Sequence, residues 1–370
     1  MYNVKLSDLL DDLQAPEVGL EEPEAVSAEH IKEIAMKKIH SEATAKPIRR
    51  KRPGVVILAA AMALALSITA LAAYHNGFFK NVFGTGVAGQ EAQDVVLSGE
   101  GDGLDKVEHY PAVERVDVDA EQAEALVGEN VIEIGKRVQL GSYTFTLENM
   151  LLDENGIGAL TVHVQNPEGH GIRADGKYDE SKGEYTPFSL DLKRESGEYR
   201  FMDMRDYLVE KSFTATEADY VLYVTPLETL PAEETLSLRI CLHQPGKDVQ
   251  DWPETSIPLP AENRAGIRSF SADGISASVS PVGMLLTYDI GTGEEKVENA
   301  ITIRYADGSE YVVLGDDLHN LSVHSASSDY SHHWIAFNRL ADAENITEIA
   351  ITGSWTGADN AENAYDLVLR

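Results

Sequence analysis

The apolar residues of this chain are most concentrated at residues 54–74, where no side chain carries a charge. As an α-helix this run is about 31 Å long, close to the hydrocarbon thickness of a bilayer. A buried core helix normally keeps a polar stripe, which this run lacks. Ala70-Leu71-Ala72 resembles the cleavage site of a signal peptide, but the run begins only after residue 53, later than in cleaved signals. The pattern predicts one retained transmembrane helix at 54–74.

Before this run, residues 1–53 contain two short amphipathic patterns separated by a Pro/Glu-rich spacer. Apolar residues recur at helical spacing in both patterns, so each predicts a short helix with one apolar stripe. Helices of this length are marginal in water by themselves. The segment is therefore either a loosely ordered tail or a docking element whose helices lie in a partner's groove. The candidate partner-binding residues are Leu6, Leu9, Leu10, Leu13, Ile31, Ile34 and Ile39.

After the run, residues 75–130 are acidic and Gly-rich, and they predict a linker that contains one short helix from Asp119 to Val127. From about Val131 the apolar period changes to two, which is typical of β-strands. Two sets of short strands predict a mainly β fold with two immunoglobulin-like β-sandwich domains, at 131–262 and 263–370. The predicted strands are 143–147, 157–164, 199–202, 220–225, 235–242 and 255–259, then 275–280, 284–289, 300–305, 311–314, 334–337, 346–353 and 365–369.

Two tight turns support the assignment of strands. Asp153-Glu154-Asn155-Gly156 separates two apolar runs of the first set, and Ala306-Asp307-Gly308-Ser309 separates two runs of the second. Sequences of this kind connect antiparallel strands because Asn, Asp and Gly tolerate the backbone angles of hairpin turns. Both tetrapeptides therefore predict hairpins.

Charge orients the predicted span. A basic cluster stands directly before it and consists of Arg49, Arg50, Lys51 and Arg52. By the positive-inside rule the N-terminus is cytoplasmic and the β domains are extracytoplasmic, so the chain is predicted to be a single-pass protein of the cell membrane. Nearly all of the net charge of −32 lies in residues 75–370. So acidic a surface argues against direct binding of nucleic acid.

The sequence predicts neither an enzyme nor a cofactor or metal site, because no known catalytic or nucleotide-binding motif survives in a suitable context. The single cysteine, Cys241, excludes an internal disulfide and predicts a buried thiol in a strand. The densest polar cluster predicts a loop with solvated histidines, and a site for a cation or ligand is the alternative. Its members are His324, Ser325, Ser327, Ser328, Asp329, His332 and His333.

Several segments together resemble a known group of proteins. They are Ser27 to His40, the basic-to-apolar junction, Leu147 to Asp153, Ser280 to Leu286 and Trp334 to Gly353. In these the chain resembles the single-pass membrane proteins of clostridia and related Gram-positive bacteria that carry a domain of unknown function and are often encoded beside extracytoplasmic-function sigma factors. The resemblance implies an anti-sigma-like regulator with an outer sensing part and an inner sigma-binding segment. The zinc-type His-x-x-x-Cys-x-x-Cys motif is missing from residues 1–53, so contact with a sigma factor requires another mode.

The sequence therefore predicts a membrane-anchored regulatory protein with a cytoplasmic protein partner, an extracytoplasmic-function sigma factor by resemblance. The alternative is a cell-surface adhesion or wall-binding module in which residues 1–53 have no signalling role. Neither prediction identifies the outer ligand.

Overall fold

The computed structural model describes residues 75–97, 106–169, 187–194, 202–209, 212–228, 235–244, 251–290, 294–356 and 362–370. The predicted cytoplasmic segment 1–53 lies outside the described residues, with its seven candidate partner-binding residues and the basic cluster Arg49–Arg52. The predicted span 54–74 also lies outside them. None of the helices in the described ranges combines the length and the hydropathy that a bilayer crossing requires.

The described chain is mainly β, with strands in several antiparallel sheets. Helix α1 occupies residues 75–83. The next elements are β1 Gln93–Leu97, β2 Lys106–Tyr110, α2 Ala120–Val127, a 3₁₀ turn Gly128–Asn130, β3 Ile132–Leu140, β4 Tyr143–Leu152, β5 Gly158–Gln165, β6 Phe188–Arg194, β7 Met202–Leu208, β8 Glu217–Pro226, β9 Leu236–Leu242 and β10 Glu254–Pro258. They are followed by β11 Arg268–Ala272, β12 Ile275–Val279, β13 Gly283–Tyr288, β14 Lys296–Tyr305, β15 Glu310–Leu314, β16 Leu321–Ala326, β17 His332–Phe337, a 3₁₀ turn Ala343–Asn345, β18 Ile346–Thr356 and β19 Glu362–Leu369.

The first core lies between a five-stranded sheet, ordered β3-β4-β5-β8-β7, and a three-stranded sheet, ordered β10-β9-β6. Alternating residues of each strand point into it, as in β9, where Leu238 and Ile240 are fully buried. Cys241, also in β9, is buried, which confirms the predicted environment of the single thiol.

The second core lies between a five-stranded sheet, ordered β11-β12-β13-β17-β16, and a four-stranded sheet, ordered β15-β14-β18-β19. The predicted hairpin at Ala306–Ser309 is present between β14 and β15, and Gly308 adopts a φ of +86° there. The predicted turn at Asp153–Gly156 likewise joins β4 to β5. Both turns confirm the hairpin predictions.

Each pair of sheets with its core forms one β layer. A third core joins the two β layers to the N-terminal helices. Helix α1 contributes Phe78, Phe79, Val82 and Phe83, all at most 4% exposed, and α2 contributes Ala123 and Val127. Strands β8 and β17 each face two cores: Tyr223 of β8 and Trp334 of β17 point into the third core, whereas their sequence neighbours point into the first and second. The third core therefore packs both β layers against the segment that follows the predicted span.

Polar groups fix this junction as well. Arg115 donates from Nη1 to the carbonyl of Val82 at 3.0 Å and to the hydroxyl of Tyr223 at 2.8 Å. His75 Nδ1 and Glu124 Oε2 lie 2.8 Å apart, which ties α1 to α2. Asp119 caps α2 by accepting from the backbone amides of Glu121 and Gln122. Helix α1 is thus held by both apolar packing and hydrogen bonds.

Candidate functional site

A cluster of ionisable side chains lies at one end of the second core, where its two sheets face each other. Glu298 enters from β14 of the four-stranded sheet. The pairing of β14 with β18 shifts between Glu298 and Ala300, so Asn299 forms a β-bulge. A bulge adds one residue to a strand and re-aims the side chains beside it. Because of it, Glu298 points inward together with Ile301 and Ile303, although the spacing from Glu298 to Ile301 is odd.

Two histidines enter from the facing sheet. His324 lies on β16 and is paired with Ile335 of β17, so His333 is its diagonal neighbour on the same face of the sheet. On β17, His333, Ile335 and Phe337 alternate with residues of the opposite face, which is why His333 is directed toward Glu298. His332 is directed to the other face and stacks on Trp334, with ring centroids 5.7 Å apart.

The ligand-type atoms of Glu298, His324 and His333 all lie within 4.8 Å of one another. His333 Nδ1 is 2.7 Å from Glu298 Oε1, and His324 Nε2 is 3.6 Å from Glu298 Oε2. The two histidine nitrogens, His324 Nε2 and His333 Nδ1, are 3.4 Å apart. The side chains of Glu298 and His333 are 1% and 2% exposed, whereas that of His324 is 31% exposed. The cluster is therefore buried but reachable from solvent on the His324 side.

Two tyrosines complete the surroundings. The Tyr288 hydroxyl donates to Glu298 Oε1, and the Tyr365 hydroxyl lies 3.4 Å from that of Tyr288. Gly353, opposite Glu298 on β18, makes room for Tyr365: a Cβ atom at this position would lie 2.3 Å from the tyrosine oxygen. Burial, and then the charge of Glu298, raises the pKa of Tyr288, so its phenol stays protonated and remains a donor.

The electrostatics favour the deprotonated forms of Glu298 and His324. Burial raises the pKa of Glu298, but the hydrogen bond and charge of His333, with smaller contributions from His324 and Tyr288, outweigh it and leave that pKa below its usual value. Burial lowers the pKa of His324 more than the nearby Glu298 raises it. At neutral pH the cluster thus presents a carboxylate and a neutral imidazole, both of which are metal-ligand forms.

The prediction of a solvated loop for the polar cluster is wrong at the two ends of the cluster. His324 and His333 lie on strands, and His333 is buried. Only the middle is a turn, where Asp329 accepts hydrogen bonds from Ser327 Oγ and Ser331 Oγ at 2.6 Å each. Ser325 faces away from the cluster and donates to Thr225 of β8 at 2.9 Å. The alternation of Leu321, Val323 and Ser325 carries too few apolar residues to identify β16 as a strand from the sequence.

None of the predicted partner-binding residues takes part in this cluster, because all of them lie in residues 1–53, whereas His324 and His333 belong to the polar cluster for which a site for a cation or ligand was the alternative prediction. Glu298 was missed because carboxylates are too frequent in this chain to stand out, and its inward position depends on the bulge at Asn299. The spacing of His324 and His333 across a short polar turn was the one available signal.

No protein-family model and no curated protein matches this chain. Among solved structures, the crystal structure of a conserved domain protein from Bacillus anthracis is similar to it, with a TM-score of 0.37 and 13% sequence identity. The similarity covers 64% of this chain and 90% of that chain.

Proposed function

We propose that this chain is a membrane-anchored regulatory protein, anti-sigma-factor-like, that passes the state of its extracytoplasmic β domains to a cytoplasmic partner. In this proposal residues 54–74 form the transmembrane helix, residues 1–53 bind the partner, and the two β layers are immunoglobulin-like sandwiches at 131–262 and 263–370. A sigma factor of the extracytoplasmic-function class is the proposed partner, by resemblance.

The observation that supports a regulator over a simple surface anchor is the burial of α1. The described part of this helix follows directly on the proposed span, and its residues Phe78, Phe79 and Val82 lie in the third core together with residues of both β layers. An adhesion module needs only a tether between membrane and domain. A helix packed between two layers is instead suited to moving with them, since a packed core transmits displacements rather than absorbing them.

The test is co-purification of the full-length protein from its native cells, followed by identification of the bound proteins. We expect a sigma factor to be retained by the wild type and lost on substitution of Leu9→Asp or Ile34→Asp, because a charge on either apolar stripe opposes docking in an apolar groove. Leu20→Asp in the Pro/Glu-rich spacer is the matched control and should retain the partner. Recovery of no transcription protein, or equal recovery with all three variants, would contradict the proposal.

A further inference from the structure

We propose that Glu298, His324 and His333 bind one divalent transition-metal ion of the zinc class, in a site that joins the two sheets of the second core. This site is independent of the proposed regulatory function, because all three ligands lie on strands around the second core. The bound ion holds β14 to β16 and β17.

The distances fit a tetrahedral ion. Bonds of about 2.0–2.1 Å to nitrogen and oxygen place the ligand atoms of a tetrahedral zinc site about 3.3 Å apart. His324 Nε2 is 3.4 Å from His333 Nδ1 and 3.6 Å from Glu298 Oε2. The third distance, 2.7 Å, joins His333 Nδ1 to the other carboxylate oxygen, Oε1, so the Glu298 carboxylate has to turn and move away by about 0.6 Å to bring one oxygen to ligand distance from both nitrogens.

Hydrogen bonds within the cluster account for Glu298 and for Nδ1 of His333, but they leave the buried His333 Nε2 without a partner and do not account for His324. His333 Nδ1 carries at most one hydrogen, and Glu298 Oε1 at 2.7 Å takes it. His324 Nε2 is then left with that nitrogen at 3.4 Å and with Glu298 Oε2 at 3.6 Å, which is too long for a hydrogen bond. An ion bound by His324 Nε2, His333 Nδ1 and one oxygen of Glu298 would give the two nitrogens that face each other a common partner.

The donor set selects the class of ion. Two imidazole nitrogens with one carboxylate suit zinc and its neighbours, whereas Ca²⁺ and Mg²⁺ require shells of oxygen atoms. Three protein ligands leave a fourth position for water or another ligand, and the partly exposed His324 places that position on the solvent side. Tyr288 would act as a positioning residue, because its hydroxyl donates to Glu298 and fixes the orientation of the carboxylate.

The experiment measures metal uptake by the purified full-length protein after treatment with EDTA. Zn²⁺ is titrated in competition with a chromophoric chelator, and Co²⁺ is used in parallel because its visible absorption reports tetrahedral coordination. We expect the wild type to bind one Zn²⁺ per chain. The variants His324→Gln, His333→Gln and Glu298→Gln should bind this ion at least about 100-fold more weakly. Tyr288→Phe should weaken binding by about 10- to 100-fold, as is usual for groups that orient a ligand.

His332→Gln is the matched control, because this adjacent histidine faces the opposite side of β17 and should leave uptake and the Co²⁺ spectrum unchanged. His324→Gln changes the most exposed ligand, so its thermal unfolding without metal should resemble that of the wild type. Zinc should raise the unfolding temperature of the wild type but not that of His324→Gln. The inference is overturned by absence of stoichiometric Zn²⁺ uptake at micromolar concentration, by equal uptake in His324→Gln, or by equal loss in His332→Gln.

Discussion

Asp153 shows at the scale of one residue how a buried carboxyl group joins the two β layers. It closes the β4–β5 turn, accepts the backbone amide of Ile157 at 2.8 Å and accepts the hydroxyl of Ser280, from the second layer, at 2.7 Å. Burial raises its pKa from 3.8 to about 6, and these hydrogen bonds only partly oppose the rise. The folded state therefore favours the protonated form of this carboxyl more than the unfolded state does.

The sign of the resulting pH dependence follows directly. A carboxyl whose pKa is higher in the folded state contributes stability that is fully present below about pH 4 and is lost as the pH rises through about 6. Relative to the wild type, Asp153→Asn should gain up to about 3 kcal/mol in free energy of unfolding between pH 4 and pH 7. Urea unfolding of both proteins across this range measures the difference. Glu154→Gln, an exposed neighbour, is the control, and a pH-independent difference for Asp153→Asn would contradict the assignment.

At the scale of one element, α1 is the part of the fold that the sequence concealed. Residues 75–103 look Gly-rich and polar as a whole, and the predicted linker hid the apolar spacing of Phe78, Phe79, Val82 and Phe83. Hairpins were predictable because their turn residues act locally, as at Ala306–Ser309. Strand β16 and the inward aim of Glu298 were not, because they depend on pairing between distant strands and on one inserted residue.

The packing of α1 predicts a large effect for a single truncation. Phe79 is fully buried in the third core, so Phe79→Ala removes its apolar contacts and leaves a cavity. We expect the free energy of unfolding to fall by about 3–5 kcal/mol. Chemical denaturation of the full-length protein measures this. Lys80→Ala, on the exposed side of the same helix, should change stability by no more than about 0.5 kcal/mol. Equal effects of the two substitutions would show that α1 is not packed as described.

Strand β18 carries a second prediction at this scale. A side chain at Gly353 would meet the Tyr365 hydroxyl and the backbone carbonyl of Val297, each closer than 3.0 Å. Gly353→Ala should therefore destabilise the protein by about 1–3 kcal/mol through overpacking and should displace Tyr365. Thermal unfolding measures the loss, and Gly266→Ala is the control because nothing lies within 4 Å of the position a Cβ would take there. Unchanged stability in Gly353→Ala would contradict the close packing.

At the scale of the whole molecule, three cores join an N-terminal helix to two β layers, and the regulatory proposal depends on which side of a membrane those layers lie. The predicted orientation rests on the basic cluster before residues 54–74. The acidity of residues 75–370 argues against binding of nucleic acid and does not itself orient the chain. The resemblance to sigma-linked membrane proteins adds the expected partner. Topology is therefore the premise on which the proposed function stands.

Single-cysteine labelling of intact cells tests this premise. Cys241 is buried, so the native chain gives little background, and Glu310→Cys and Ser27→Cys introduce reporters on either side of the proposed span. Glu310 lies exposed at the start of β15. We expect a membrane-impermeant maleimide to label Glu310→Cys in intact cells and to label Ser27→Cys only after lysis. Labelling of Ser27→Cys alone, or protection of both reporters until lysis, would contradict it.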